Sequence, residues 1–274
     1  MTDDPIAQFE AERAARIASY PQDEAFQDLS WQWATEAFRK YYMYNFHAMG
    51  RPIIQFPSDV MAMSELIWDV MPDMVVETGI AHGGSIIHSA AQLALLDLIE
   101  AQEAGVVYDP SKPKRKVVAV DIDIRPHNRE ALENHPLSNR ITMIEGSAID
   151  PEIVAKVWAE TEGAGSVLVS LDSMHTHDHV LGELRAYAPL TTQGSYCVVF
   201  DTAVEFLPKD FFDNRPWNPG DSPRSAIDAY LAEIAGQGLK GRDGAALDLE
   251  IDYAVSNKLV VTAAPEGFLK RNPA

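Results

Sequence analysis

Two aspartates and a histidine stand where this chain could do chemistry. Asp172 and Asp201 each close a short apolar run, Val167–Leu171 and Tyr196–Phe200, and His175 follows three residues after the first of them. Carboxylates brought together repel each other unless a proton or a cation lies between them. A pair of oxygen ligands suits a hard divalent ion, Mg²⁺ or Mn²⁺, better than zinc. Such an ion lowers the pKa of a bound hydroxyl and makes it a nucleophile, and a histidine within reach takes up the proton. His177 and His179 continue the run, and the pattern predicts that Met174–Leu181 opens a helix with His175 and His179 on one face. For His177 and His179 the ordinary reading is helix surface or structural hydrogen bonding.

A second constellation lies upstream. The apolar run Met74–Val76 ends in Glu77, and Gly79, Gly83, Gly84 and Ser85 follow before Ile86, Ile87, Ala90, Leu93 and Ala94 recur at helical spacing. A strand that turns on glycine into a helix brings backbone close to a nucleotide-like ligand. The spacing G-x-x-x-G-G is neither the dinucleotide fingerprint nor a phosphate loop. An acid at the strand end without a pyrophosphate cradle suits a cationic ligand that lacks phosphates, and S-adenosylmethionine meets that description. Glu77 then faces its amine or ribose side. Asp121, which closes Val117–Val120, is placed for the ribose hydroxyls, with Asp123 as the competing acid.

The elements that must position these groups follow from the same pattern. Met74–Val76, Val117–Val120, Ile141–Ile144, Val167–Leu171 and Tyr196–Phe200 each close on a polar residue, with helical stretches between. That predicts an α/β chain: a Rossmann-like, doubly wound, mainly parallel sheet whose carboxyl edge holds the site. Glu77 and Asp121 are 44 residues apart, and Gly105–Lys116 reads as a surface insertion between them. Residues 3–20 read as a helix stopped by Pro21, aromatics crowd Phe26–Met49, and Pro57–Val70 is helical. Residues 1–56 are therefore expected to form an N-terminal helical cover over one compact unit, 57–274. The proline-rich segment Pro208–Pro223 is a long loop of the kind that serves binding, and a helix near Ser225–Ile234 follows it. Leu247–Ala254 and Lys258–Ala263, split by Ser256-Asn257, read as a closing antiparallel pair.

Composition narrows the partners. The chain has 274 residues, 46% hydrophobic and 23% charged, with a net charge of −19 that disfavours a large nucleic-acid footprint. The acidic surplus reads as a solvated surface. Cys197, the one cysteine, sits in an apolar run and reads as core filler. Met1–Glu10 is acidic and has no apolar leader core, and no run of eighteen apolar residues occurs, so a cytoplasmic protein without membrane insertion is expected.

These residues resemble the cephalosporin hydroxylase family, whose members have the fold and cofactor site of S-adenosylmethionine-dependent O-methyltransferases despite the name. The matching stretches include Tyr44-Asn45-Phe46, Gly50–Gln55, Glu77–Ser85, Val120–Asp123, Leu171-Asp172-Ser173 with His175–Val180, Tyr187–Leu190, Asp201-Thr202 and Asn257-Lys258-Leu259 through Lys270-Arg271. Together they span about residues 40–271. The resemblance implies a class I methyltransferase sheet and a hydroxyl of a sugar or small natural product as acceptor. It also implies that Tyr44, Glu77, Gly79, His82, Gly83, Ser85, Asp121 and Ser147 bind the methyl donor, with Ser147 near the adenine. Asp172 and His175 would act in catalysis, His175 as base, and Asp172 and Asp201 would hold the metal. Metal-dependent relatives carry a Glu-Asp pair at the next strand end; here the Glu position is Phe200, so Glu205, Asp178 or water would have to complete the shell. Folds of this kind commonly self-associate.

Two other functions compete. An accessory, non-catalytic cofactor-binding protein would explain Phe200. A non-haem iron oxygenase needs two histidines and a carboxylate, and none of the eight histidines opens an H-x-D or H-x-E pair.

Overall fold

A computed structural model of the chain describes residues 4–273. Helix α1 (Pro5–Ser19) is capped by Asp4, whose carboxylate accepts from the N–H groups of Ile6 and Ala7. It ends in a short 3₁₀ turn at Tyr20–Gln22; residue 3 of the expected helix lies outside the described residues. Helix α2 (Glu24–Arg39) follows, then a two-stranded antiparallel ribbon, β1 (Phe46–Ala48) and β2 (Arg51–Ile53), that sequence reasoning did not foresee. Helix α3 (Pro57–Val70) leads into the main sheet.

That sheet and its helices run in chain order as β3 (Met74–Thr78), α4 (Gly84–Glu103), β4 (Lys116–Asp121), α5 (Pro126–Glu133), β5 (Ile141–Glu145), α6 (Pro151–Glu160), β6 (Val167–Leu171), α7 (His177–Tyr187), β7 (Tyr196–Val199), α8 (Pro223–Gln237), β8 (Leu249–Ile251), α9 (Tyr253–Leu259) and β9 (Phe268–Arg271). The seven strands are ordered β5-β4-β3-β6-β7-β9-β8, with the first five parallel and β9 antiparallel to both neighbours. This is the expected mainly parallel methyltransferase sheet. Successive strand residues point to opposite faces, and both faces are dry. Val118 and Val120 pack with α6, α7 and α8, whereas Val117 and Ala119 pack with α3, α4 and α9. A strand buried on both sides reads as an unbroken apolar run. Cys197 is fully buried within β7.

The C-terminal pair differs from the sequence reading. Its first strand is Leu249–Ile251, but Lys258–Ala263 is not its partner; Phe268–Arg271 is. The intervening residues form α9, whose N-cap Asp252 accepts from the N–H groups of Ala254 and Val255. Ser256 and Asn257 lie inside that helix rather than in a turn, and Val260 ends it at φ 61°.

A third, smaller core joins the N-terminal region to the sheet. Phe38, Met43 and Phe56 pack against Ala203, Leu207 and Ala263. Among the described residues no helix is long and apolar enough to cross a membrane.

Away from the carboxyl edge, Asp97 on α4 is bound by two buried arginines, Arg115 (2.8 Å) and Arg140 (2.8 Å). This network fastens the start of β4 to the turn before β5. Removing one partner of a buried ion pair leaves an uncompensated charge. Asp97→Ala is therefore expected to lower stability by about 3–5 kcal/mol in urea denaturation, and a loss under about 1 kcal/mol would show that the two guanidinium groups find other acceptors.

Candidate active site

In the sheet order the chain reverses between β3 and β6, the switch point where α/β folds bind ligands. The loops after these two strands touch. The Asp172 N–H donates to the Thr78 carbonyl at 3.0 Å, and a Cβ added at Gly79 would lie 2.0 Å from the Asp172 carbonyl oxygen. With φ at +88°, position 79 admits glycine for two reasons. The rest of the turn is fastened from outside. Asp121 Oδ2 accepts from the N–H groups of Ile80 (2.8 Å) and Ala81 (3.1 Å), and its Oδ1 accepts from Asp123 N–H at 3.1 Å. A carboxylate has about four acceptor positions, so Asp121 anchors the turn and keeps one of them for a further donor. Arg51 of β2 donates to the His82 carbonyl and to Asn128, which in turn donates to the Ala81 carbonyl.

Glu77 is buried beneath this turn, where the Ser85 hydroxyl donates to its Oε1. Burial pushes its pKa up to about 7, a shift the Ser85 hydrogen bond only partly offsets.

The opposite wall carries the second constellation. Asp172, His175 and Asp201 bring one ligand atom each to within 4.8 Å of one another, the one such metal-ligating group among the described residues. His175 Nε2 lies 3.3 Å from Asp201 Oδ2. Burial holds the Asp172 carboxyl well above the usual carboxylate range, and the charges of Asp201 and Glu77 add to it. The Gln55 side chain hydrogen-bonds Asp172 and works the other way. Asp201 sits at φ 54°, a strained backbone position that aspartate tolerates better than most residues. His175 is not on the helix: α7 starts at His177, so His175 lies in the loop between β6 and α7 and does not share a helix face with His179. His177 instead meets the Ser225 hydroxyl at 2.9 Å.

His179 belongs to a buried support. Ser173, between Asp172 and His175, donates to Glu183 Oε1 at 2.6 Å and lies 3.1 Å from His179 Nε2. Glu183 is fully buried. A comparable support stands below Asp201. Asp59 of α3 is fully buried and accepts from Ala263 N–H at 2.9 Å, and burial together with the Asp201 charge raises its pKa to about 7 against its hydrogen bonds to Thr262 and Ala263. Gln55, Asp59 and Glu183 were missed in the sequence because their partners lie far along the chain.

Between the two walls is a cavity of about 520 Å³, lined from the expected set by Tyr44, Gly79, His82, Ser85, Asp172, His175 and Asp201. Glu77, Gly83, Asp121 and Ser147 do not line it. Gly83 is the N-cap of α4 at φ 83°, and Ser147 lies in the half-buried turn after β5. Phe200 is buried on the cavity wall. Neither residue proposed to complete a metal shell joins the trio. Glu205 is held by Gly220 N–H and the Ser222 hydroxyl, and Asp178 is exposed on the first turn of α7. Phe38, Tyr41, Phe211, Phe212 and Trp217 give the cavity an aromatic lining, while Phe46 packs on Tyr42 outside it. Two other clefts, of about 800 and 950 Å³, lie at the amino end of β6 and between α1, α3 and α9, and neither holds the carboxylate–histidine trio.

The fold and this arrangement define a Rossmann-like methyltransferase of the S-adenosylmethionine-dependent O-methyltransferase class. The chain belongs to the rhamnosyl O-methyltransferase/CmcI family, whose model matches residues 40–272. This is the family the sequence motifs resemble. It is similar to the rhamnosyl O-methyltransferase of Mycobacterium bovis strain BCG, 28% identical over 221 residues and covering 78% of this chain and 74% of that protein. The Mycobacterium leprae rhamnosyl O-methyltransferase is 29% identical over 247 residues, covering 86% of this chain and 90% of its own. The solved structure of CmcI with Mg and SAM shares the fold, with a TM-score of 0.51 at 14% identity over 84% of this chain and 78% of that one.

Two predictions follow from the buried acids. Glu77 and Asp59 keep their protons to about pH 7 when folded and to about pH 4 when unfolded. Between those values the folded state binds more protons, so stability is fully present at low pH and is lost as pH rises through 7. The cofactor-free protein should melt at a higher temperature at pH 6 than at pH 8, and Glu77→Gln should reduce the difference; an unchanged slope in that variant would assign it elsewhere. Glu183→Ala strips Ser173 and His179 of their acceptor and leaves a cavity. It should cost about 2–4 kcal/mol in chemical denaturation, against a wild-type-like midpoint if the support is idle.

Proposed function

We propose that this protein transfers the methyl group of S-adenosylmethionine to a hydroxyl of a sugar or a small sugar-bearing natural product. The observation that carries the reading is the meeting of a donor-side turn, Glu77–Ser85, and an acid–histidine wall, Asp172, His175 and Asp201, across one cavity at the switch point. The sugar comes from the rhamnosyl O-methyltransferases that the chain resembles.

In this reading Glu77 and Ser85 serve the cationic end of the donor, with Gly79, His82, Gly83 and Tyr44 around it and Asp121 and Ser147 on its nucleoside side. From the N-terminal region, Phe38–Tyr44 and Pro52–Gln55 contribute to the wall of the site. The acceptor oxygen attacks the methyl carbon as the carbon–sulfur bond breaks, leaving S-adenosylhomocysteine. The hydroxyl proton passes to His175 Nε2, and Asp201 Oδ2, 3.3 Å away, stabilises the imidazolium that forms. Asp172 and Asp201 fit a divalent ion: two oxygen donors stand together, and burial, with the neighbouring negative charge added to it, holds the Asp172 carboxyl above its usual range. Mg²⁺ bound there would supply Lewis-acid activation of the hydroxyl. Aromatic side chains at the mouth keep the site dry, which strengthens electrostatic attraction within it.

Phe200 favours one second reading, an accessory protein that binds the cofactor without turnover, because the wall presents two carboxylates, Asp172 and Asp201, where the family resemblance implies three. The two readings separate cleanly. Calorimetry should detect S-adenosylmethionine binding, and a mass-shift screen of glycosides should find a gain of one methyl group. His175→Ala should cut turnover about 10²–10⁴-fold with cofactor binding intact. Chelation should lower turnover and added Mg²⁺ restore it. Binding with no methylated product, and no effect of either Asp172→Asn or His175→Ala, would favour the accessory protein; no binding at millimolar ligand ends both.

A further inference from the structure

Resting on the methyl-transfer reading, we infer that the acceptor carries an anionic oxygen substituent, a phosphate ester or a carboxylate, near the methylated hydroxyl, and that Arg215 is the residue that selects it. The chain has 41 acidic and 22 basic residues, so an arginine is rarely far from a carboxylate. Elsewhere on the molecule Arg115, Arg140, Arg185, Arg224 and Arg271 hold acids, while Arg51 and Arg242 are taken up by backbone carbonyls and, for Arg51, by Asn128. Arg215 holds none among the described residues. It lies on the cavity mouth, and its guanidinium stands over the ring of Trp217, 5.1 Å from the centroid.

Trp217 sets where that charge sits. Its ring packs edge-on against His175 with centroids 4.6 Å apart, so one indole separates the free cation from the imidazole. The loop carrying both residues is tied down. Asn218 and Asp221 bridge it, Asp210 N–H donates to Asn218 at 2.7 Å, Gly220 N–H donates to Glu205 at 2.9 Å, and Asp221 accepts from His177 N–H at 2.7 Å. The other cation at the mouth, Arg39, is paired with Glu36 and lies over Phe211. Every other charged carboxylate or guanidinium of the lining is acidic: Asp172, Asp201 and Asp213. A neutral acceptor makes no use of an unpaired, planar, five-donor group held beside the base. An oxyanion does, through paired hydrogen bonds that fix its orientation as well as its charge.

The test uses the full-length protein with S-adenosylmethionine and three acceptors: a neutral methyl glycoside, the matching glycosyl 1-phosphate, and the methyl glycoside of a uronic acid. A separate titration measures binding of the glycosyl phosphate and the uronoside to protein saturated with S-adenosylhomocysteine. Arg215→Ala and Arg215→Gln, both at an exposed position, should weaken binding and raise KM for the anionic acceptor about 10–100-fold. Values of kcat, donor binding and any turnover of the neutral glycoside should stay within about twofold. Preference for the phosphate over the uronoside, or the reverse, names the source of the anion. Equal losses on neutral and anionic acceptors, or anion binding unchanged in both variants, overturn the inference. Methylation of none of the three counts against the transfer reading alone, since the titration still decides the role of Arg215.

Discussion

Negative charge gathered in a dry place is the constraint on which the site depends. Glu77, Asp172 and Asp201 end neighbouring strands or the turns after them, and Asp59 lies buried below Asp201. Water does little to ease such crowding, because Glu77 and Asp59 are buried and Asp172 and Asp201 are only partly exposed. The structure answers with protons, lifting the Glu77 and Asp59 pKa values to about 7, and with neutral hydrogen-bond donors such as Gln55 and Ser85. A methyl donor with a sulfonium and an ammonium, and a divalent ion, are ligands that relieve the same strain. The cluster of acids is thus built against the stability of the fold, and binding of such ligands would recover part of what folding gave up.

The crowding exists because two loops meet without space between them. Thr78 and Asp172 are hydrogen-bonded across the switch point, and Gly79 has no room for a methyl group against the Asp172 carbonyl. That contact fixes the donor-side turn relative to the acid–histidine wall at the level of backbone, where positions are stiffest. The side-chain supports act one step further out. Asp121, Arg51 and Asn128 fasten the turn, and Ser173, His179 and Glu183 fasten the segment from Asp172 to His175. Rigid placement of this sort suits a reaction whose rate depends on a near-linear approach of oxygen, carbon and sulfur.

The strands and the acids that end them were legible because burial on both faces leaves each strand as an apolar run with an abrupt polar stop. The glycine turn was legible because its conformation excludes other residues. Two misreadings have the same origin, a local pattern overruled by a cap. Leu259, Val260 and Val261 look like a strand, yet Asp252 accepts the first helical N–H groups and makes the segment α9, leaving Phe268–Arg271 to pair. The histidine run looks helical from Met174, yet Thr176 is the N-cap and His175 remains in the loop, beside Asp201. Gln55, Asp59 and Glu183 carry no local signature, since each is a single polar residue in an apolar stretch whose meaning lies in a distant partner. Arg215 and Trp217 were hidden in a loop whose composition announced only that it was a loop.

Phe200 ties these threads together. Where the family resemblance implies a carboxylate, this chain places a buried ring on the cavity wall. A third acid there would deepen the charge imbalance that already raises the Asp172 pKa. In the methyl-transfer reading proposed above, the remaining pair asks less of a cation and His175 Nε2, near Asp201 Oδ2, serves as the proton acceptor. On that reading, one ligand charge fewer with the base retained shifts the work of activating the acceptor from an ion toward the imidazole. The edge-on packing of Trp217 against that imidazole then matters more, because a base in this role must be held in one orientation.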